Sequence, residues 1–193
     1  MRFSRPCLRL PPLCAALALV AGCGGTSSIK PNEVLDESTG MTIGTLDKPI
    51  ELVQGAAPMG GPERRISFAY LGPVEWDNMG AITYGLWIHV APGNDWQFEA
   101  LQEPGAVRLV LADGTAPLAA FQPPALAHAP YRPVASWGET GYFVVDLRML
   151  RRMAASGTIA LDVKTTSDAV VRFTAAPDAH DILTRYLHAR GYQ

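Results

Sequence analysis

The sequence predicts a mainly β protein, an antiparallel β-sandwich (Ig-like or similar) carrying two helices. Three observations predict it. Short segments in which apolar and polar residues alternate recur along the chain, which is the period of a strand with one buried face. Turn-forming residues separate them at close spacing, as between antiparallel neighbours. Helical periodicity occurs only twice, near residues 146–155 and 177–190, so strands do not alternate with helices as in a doubly wound parallel sheet.

Residues 33–35 and 41–45 flank Asp36-Glu37-Ser38-Thr39-Gly40, whose Asp, Ser and Gly favour a hairpin turn. A short strand follows Pro49 at 50–53, and the Gly and Pro of 55–62 predict a loop. Residues 65–71 alternate, with Ile66, Phe68 and Tyr70 on one face. The strongest strand signal is 81–90. It places Ile82, Tyr84, Leu86, Ile88 and Val90 on a core face, and Thr83, Gly85, Trp87 and His89 on a half-exposed one.

Residues 91–106 have no period and form a long loop, a length that in compact domains is either functional or packed down by its own side chains. Strands at 107–111 and 118–121 flank the turn pair Asp113-Gly114, with Pro117 placed before the second because it has no N–H to give a ladder. The three prolines of 122–130 predict a loop, and 131–137 and 141–145 read as strands turning at 138–140. Asp146 is the expected N-cap of the first helix, with Leu147, Leu150 and Ala154 on one side and Gly157 closing it. Strands at 158–163 and 169–174 turn at Ser167-Asp168. The second helix carries the apolar stripe Ala179, Ile182, Leu183, Tyr186 and Leu187. Asp178 and Asp181 lie near its start, Arg185, His188 and Arg190 near its end, and Gly191 follows.

The first 22 residues have another character. Arg2, Arg5 and Arg9 precede an uncharged apolar run from Leu13 to Val20, and small residues then lead to Cys23. This is the build of an export signal, too short to span a bilayer, which takes about 20 apolar residues. Val20-Ala21-Gly22-Cys23 resembles the lipobox of bacterial lipoproteins. The resemblance implies cleavage between Gly22 and Cys23, acylation of Cys23, and attachment to a membrane. In that family an aspartate after the cysteine retains the protein at the inner membrane. Gly24 stands there instead, so the implied location is the periplasmic face of the outer membrane. The phrase Leu35-Asp36-Glu37-Ser38-Thr39-Gly40 and the run Tyr84-Gly85-Leu86-Trp87 also resemble exported proteobacterial lipoproteins, and bring no activity with them.

The domain organisation that follows is a signal at 1–22, a lipidated cysteine and tether at 23–32, and one β domain at 33–193. Cleavage would remove Cys7 and Cys14 and leave one cysteine of three, so the mature domain is expected to be stable without a disulfide. Losing three arginines from 16 basic residues leaves 13 against 18 acidic ones, a formal charge of −5. With no basic block or basic and aromatic interleaving, nucleic acid is not an expected partner.

Catalytic and metal chemistry have little to build on. There is no Gly-x-Ser-x-Gly, and Ser136 beside Trp137-Gly138-Glu139 reads as an edge-strand serine. No His-Glu-x-x-His, cysteine pair or calcium loop occurs. His180 and His188 share a helix, but eight residues at about 1.5 Å each hold them too far apart for one ion. The carboxylate pairs Glu75 with Asp77 and Glu99 with Glu103 read as solvated surface. No metal or cofactor is therefore expected. Trp87 and His89 form the candidate binding patch, together with Trp76 and Trp96 in loops at the two ends of that strand, since aromatics are enriched at contact surfaces. The alternative is that these rings plug the sandwich ends or lie under the long loop. The resulting expectation is a non-enzymatic, lipid-anchored module that binds an envelope protein. A small-molecule or glycan binder stands second and an envelope hydrolase third.

Overall fold

The computed structural model describes residues 29–55, 67–93 and 96–192. In chain order the elements are β1 (Pro31–Asp36), β2 (Met41–Leu46), β3 (Ile50–Gln54), β4 (Phe68–Asn78), β5 (Ala81–Ala91), β6 (Val107–Leu111), β7 (Gly114–Pro117), β8 (Ala119–Ala120), β9 (Glu139–Val145), α1 (Leu147–Ala155), β10 (Ile159–Lys164), β11 (Val170–Ala175) and α2 (Ala179–Ala189). The expected signal, its cleavage residue Gly22, and Cys23 lie outside the described residues, as do positions 56–62 of the expected loop. Pro31 and Asn32, expected at the end of the tether, already belong to β1.

The fold is mainly β, and every strand pair is antiparallel. The strands form one sheet in the order β7-β6-β10-β11-β3-β4-β5-β9-β8, with β2 branching from β4 and β1 pairing β2. Its closure follows from chain geometry. Only Leu118 separates β7 from β8, yet these strands stand at opposite ends of the path. Two Cα steps of about 3.8 Å must therefore bring the sheet's ends together. The sheet is rolled nearly closed, and its walls face each other as sandwich layers do. Leu52, Leu71, Leu86, Ile88 and Phe143 of one wall and Leu109, Leu161, Val163 and Phe173 of the other are buried in one core.

The helices follow the sequence closely. Asp146 Oδ1 accepts the Met149 N–H at 2.7 Å, capping α1, which buries Leu150 and Met153. Helix α2 buries its whole predicted stripe and packs against α1. Beyond it the chain turns at Gly191, with φ 77°.

Strand β4 forks. Its first half pairs with β3 from Phe68 to Leu71, and its second with β2 from Glu75 to Asp77. Continuing the β2 register would set Leu46 against Pro73, but the chain bulges away there towards β3. A side chain fills the break. The Tyr131 hydroxyl accepts from the Leu46 N–H at 2.8 Å and donates to the Pro73 carbonyl at 2.9 Å, replacing the missing ladder bond. Its ring lies over Gly72, where an added Cβ would sit 2.3 Å from it. Tyr131→Phe keeps the ring and leaves two buried backbone groups unsatisfied. The expected loss is about 1–3 kcal/mol, measured as the shift in a urea unfolding midpoint at constant slope.

Tyr131 belongs to a long connection, residues 121–138, that crosses the outer face of the sheet between β8 and β9 as a strap. The Phe121 N–H donates to the Tyr142 carbonyl at 2.8 Å, and its ring meets Trp76 at 5.3 Å. Further along, the Ala127 N–H donates to Asp36 Oδ2 at 2.7 Å. The other Asp36 oxygen gathers the Ser38 and Thr39 N–H groups at 3.0 Å each. A hydrogen bond from the Ser38 hydroxyl, then those from Ala127 and Thr39, hold the Asp36 carboxyl down to about 2.

Three expectations are corrected here. Residues 131–137 are not a strand but the last part of the strap, because Pro130 and Pro133 cannot donate to a ladder. Residues 74–78, expected as a loop, continue β4. Pro73 is tolerated inside that strand because it stands at the fork, with its nitrogen turned to the break rather than to β5. Pro117 ends edge strand β7 instead of opening the next strand.

Candidate functional site

Strand β5 is where the expected binding patch and the structure diverge. Trp87 and His89 were expected on a half-exposed face, and both are fully buried. The alternation is kept from Leu86 onward, whereas Ile82, expected on the core face, is 42% exposed near the open start of the strand. Leu86, Ile88 and Val90 face the inner core, while Trp87 and His89 face outward. The strap roofs the outward face, so β5 is covered on both sides.

Under that roof the rings stack. Trp87 lies 5.7 Å from His89 at 17° and 5.2 Å from Tyr131 at 39°, and Tyr70 stands 6.2 Å from His89. His89 Nδ1 shares a hydrogen bond with Thr140 Oγ1 at 2.9 Å, while Nε2 makes none. Gly138 passes so close that an added Cβ would lie 2.4 Å from Nε2 and 2.8 Å from the Val90 carbonyl. Burial lowers the His89 pKa below its ordinary value, against the opposing pull of the Ala135 and Glu139 carbonyls.

A neutral buried imidazole ties stability to pH. The unfolded chain binds a proton near pH 6.5 that the folded His89 refuses. Stability is therefore expected to fall as pH drops below about 6.5. Asp36 acts in the same direction at lower pH, since its contribution is present above the unfolded value of 3.8 and lost towards about 2. Thermal melts from pH 7.5 to 5 of the native chain and of His89→Phe test the first part. The decline between pH 6.5 and 5 should flatten in the variant, and an identical decline in both chains would place its origin elsewhere.

The remaining candidate aromatics are dispersed. Trp76 lies on β4 and is buried, with its ring between Phe121 and Tyr142. It lines a groove of about 380 Å³ with Met41, Asn78, Phe121, Pro123 and Pro124. Trp96 is half-buried against the core in the segment after β5. That segment is packed down by fully buried Leu101, whose N–H donates to Glu139 Oε1 at 2.9 Å. The structure thus gathers Trp87 and His89 into one stack and keeps Trp76 and Trp96 out of it.

The fourth tryptophan carries the surface feature that sequence reasoning passed over. Trp137 is 71% exposed, and Val134, three residues before it, is 56% exposed. Both stand on the strap, turned outward while Tyr131 and Ala135 turn inward. The strap's own alternation, with Pro133 ruling out a central strand, was the available signal. Ser136, expected on an edge strand, is exposed on the same strap.

The carboxylates expected to be solvated divide. Glu99 pairs with Lys164 at 3.1 Å, as does Asp168 at 2.6 Å. Glu75 overturns the expectation: only 2% of its side chain is exposed, and it takes the guanidinium of Arg190, which also holds Glu33. Facing inward beside the end of α2, Glu75 could not be left charged without that partner. The Arg190 pKa is pushed further up, first by the Glu75 hydrogen bond, and the trio ties β1, β4 and the end of α2 together as a structural clasp. No group of three or more histidine, cysteine or acidic side chains suited to a metal occurs among the described residues.

No protein-family model matches the chain, and neither a curated protein nor a solved structure is found similar to it.

Proposed function

We propose that the protein is a lipid-anchored envelope lipoprotein whose β domain binds a protein partner without catalysis, at the periplasmic face of the outer membrane. The anchor rests on Val20-Ala21-Gly22-Cys23. With β1 starting at Pro31, the seven residues between Cys23 and that strand reach at most about 25 Å, which holds the domain close to the lipid surface. The observation that carries the binding role is Trp137, exposed with Val134 on a strap whose other large apolar side chains, Phe121, Leu126 and Tyr131, pack against the core. Tryptophan is the residue most enriched at binding hot spots, and its exposure costs the domain burial that the neighbouring rings obtain.

Two experiments address the two halves separately. Cys23→Ala should abolish labelling by palmitate and release the protein from membranes, and labelling equal to the native chain would rule the anchor out. A photocrosslinking amino acid at position 137 should capture a discrete envelope protein in cells, in a yield that falls with Val134→Asp. Capture that is indifferent to the Val134 substitution would mean that the strap is not the binding surface.

A further inference from the structure

Among the described residues the sheet has three free edges, and two of them are protected. Strand β7 is four residues long and ends in proline, and β8 is two residues long, the usual means of blunting an edge. Strand β1 has six residues, pairs with β2 alone, and exposes the apolar Val34 (47%) and Leu35 (59%) on its two faces.

The hydrogen-bond phase of that edge can be derived. The Asp47 N–H donates to the Lys30 carbonyl at 2.7 Å, and the Gly40 N–H to the Asp36 carbonyl at 2.8 Å. Antiparallel ladders alternate, so Lys30, Asn32, Val34 and Asp36 address β2, while Glu33 and Leu35 turn their N–H and C=O groups outward. Among the described residues no hydrogen bond reaches these groups.

The geometry points to a second copy of this chain as the occupant, with the two β1 strands pairing antiparallel about a two-fold axis through Val34. This register sets Glu33 opposite Leu35 of the other copy, twice, and so makes four backbone hydrogen bonds. Val34 then meets its own counterpart in a non-hydrogen-bonded pair, apolar against apolar. Centring on Glu33 instead would oppose like charges, and centring on Leu35 would run the pairing into the turn at Glu37. Glu33 has its ion-pair partner Arg190 on its own chain, so the favoured register sets an already paired carboxylate, not a second carboxylate, beside Leu35. A six-residue edge buries less than the ~1,200–2,000 Å² of a free-standing dimer. The association is thus weak in solution and promoted by confinement on a membrane, a consequence that rests on the lipid-anchor reading; the pairing itself does not.

The test is a symmetric disulfide. Val34→Cys in the full chain places two sulfurs across a non-hydrogen-bonded pair, where Cα atoms lie about 4.5 Å apart, within disulfide reach. Mild oxidation of intact cells should give a reducible dimer of this chain. Adding Leu35→Pro removes an outward N–H and leaves the β2 ladder intact, so the dimer should fall at least tenfold while protease resistance of the monomer is kept. Absence of the dimer, a dimer indifferent to Leu35→Pro, or a crosslink only to a different protein overturns the proposal. In Cys23→Ala/Val34→Cys the yield should drop several-fold. An undiminished yield would refute the anchor's contribution while upholding the strand pairing.

Discussion

Trp87→Ala is expected to cost about 3–5 kcal/mol, the range for truncating a large buried aromatic, and Trp137→Ala no more than about 0.5 kcal/mol, the range for surface substitutions. Trp87 is fully buried between the His89 and Tyr131 rings, and its removal leaves a cavity between strap and sheet. The strap cannot settle into that cavity. Its course is fixed on one side by the Tyr131 hydroxyl in the β4 fork and on the other by Gly138 against His89. Both variants can be followed by urea unfolding with far-ultraviolet circular dichroism, which does not depend on the fluorophore removed. Near-equal losses would mean that the strap does not roof β5 as described. The slope should be unchanged in Trp137→Ala. A lower slope in Trp87→Ala would show that the strap has detached and that the native state buries less surface.

The same residue shows where the sequence was legible and where it was not. Period-two alternation on β5 correctly separated Leu86, Ile88 and Val90 from Trp87 and His89. What alternation cannot report is what covers the second face, because a roof supplied by Tyr131 and Gly138, far along the chain, leaves no local trace. The presence of two large rings on the supposed solvent face was itself a signal of a covered face. Local chemistry was read well wherever it decides the structure: Asp146 caps α1, the stripe of α2 is buried, and the 36–40 turn joins β1 to β2. Closure of the sheet was not readable, since it depends on β7 and β8 finding partners at opposite ends of the strand order. The course of β4 through Pro73 was unreadable for a comparable reason. A proline argues against a strand interior unless the strand forks there, and the fork requires Tyr131 from a distant segment.

Glu75→Ala is expected to be the most damaging change at a charged position, at about 3–5 kcal/mol, because it strands a largely buried guanidinium. The Arg190 side chain is 13% exposed, and of its two carboxylates only Glu75 is buried with it; the Glu33 side chain is 59% exposed. Glu33→Ala should therefore cost no more than about 1 kcal/mol, as exposed partners do. The contrast between the two tests whether burial or the mere number of ion pairs sets the energy. The clasp joins β1, β4 and the end of α2 across 115 and 157 positions of sequence, so its loss should loosen the α2 end first. Hydrogen exchange of the last turn of α2 should accelerate more than that of β10. Replacing both Glu75 and Arg190 by leucine removes the stranded charge, and should recover much of the loss seen in Glu75→Ala. A double variant as unstable as the sum of its single variants would show that the two side chains are not energetically coupled and that the clasp does not hold the helix to the sheet.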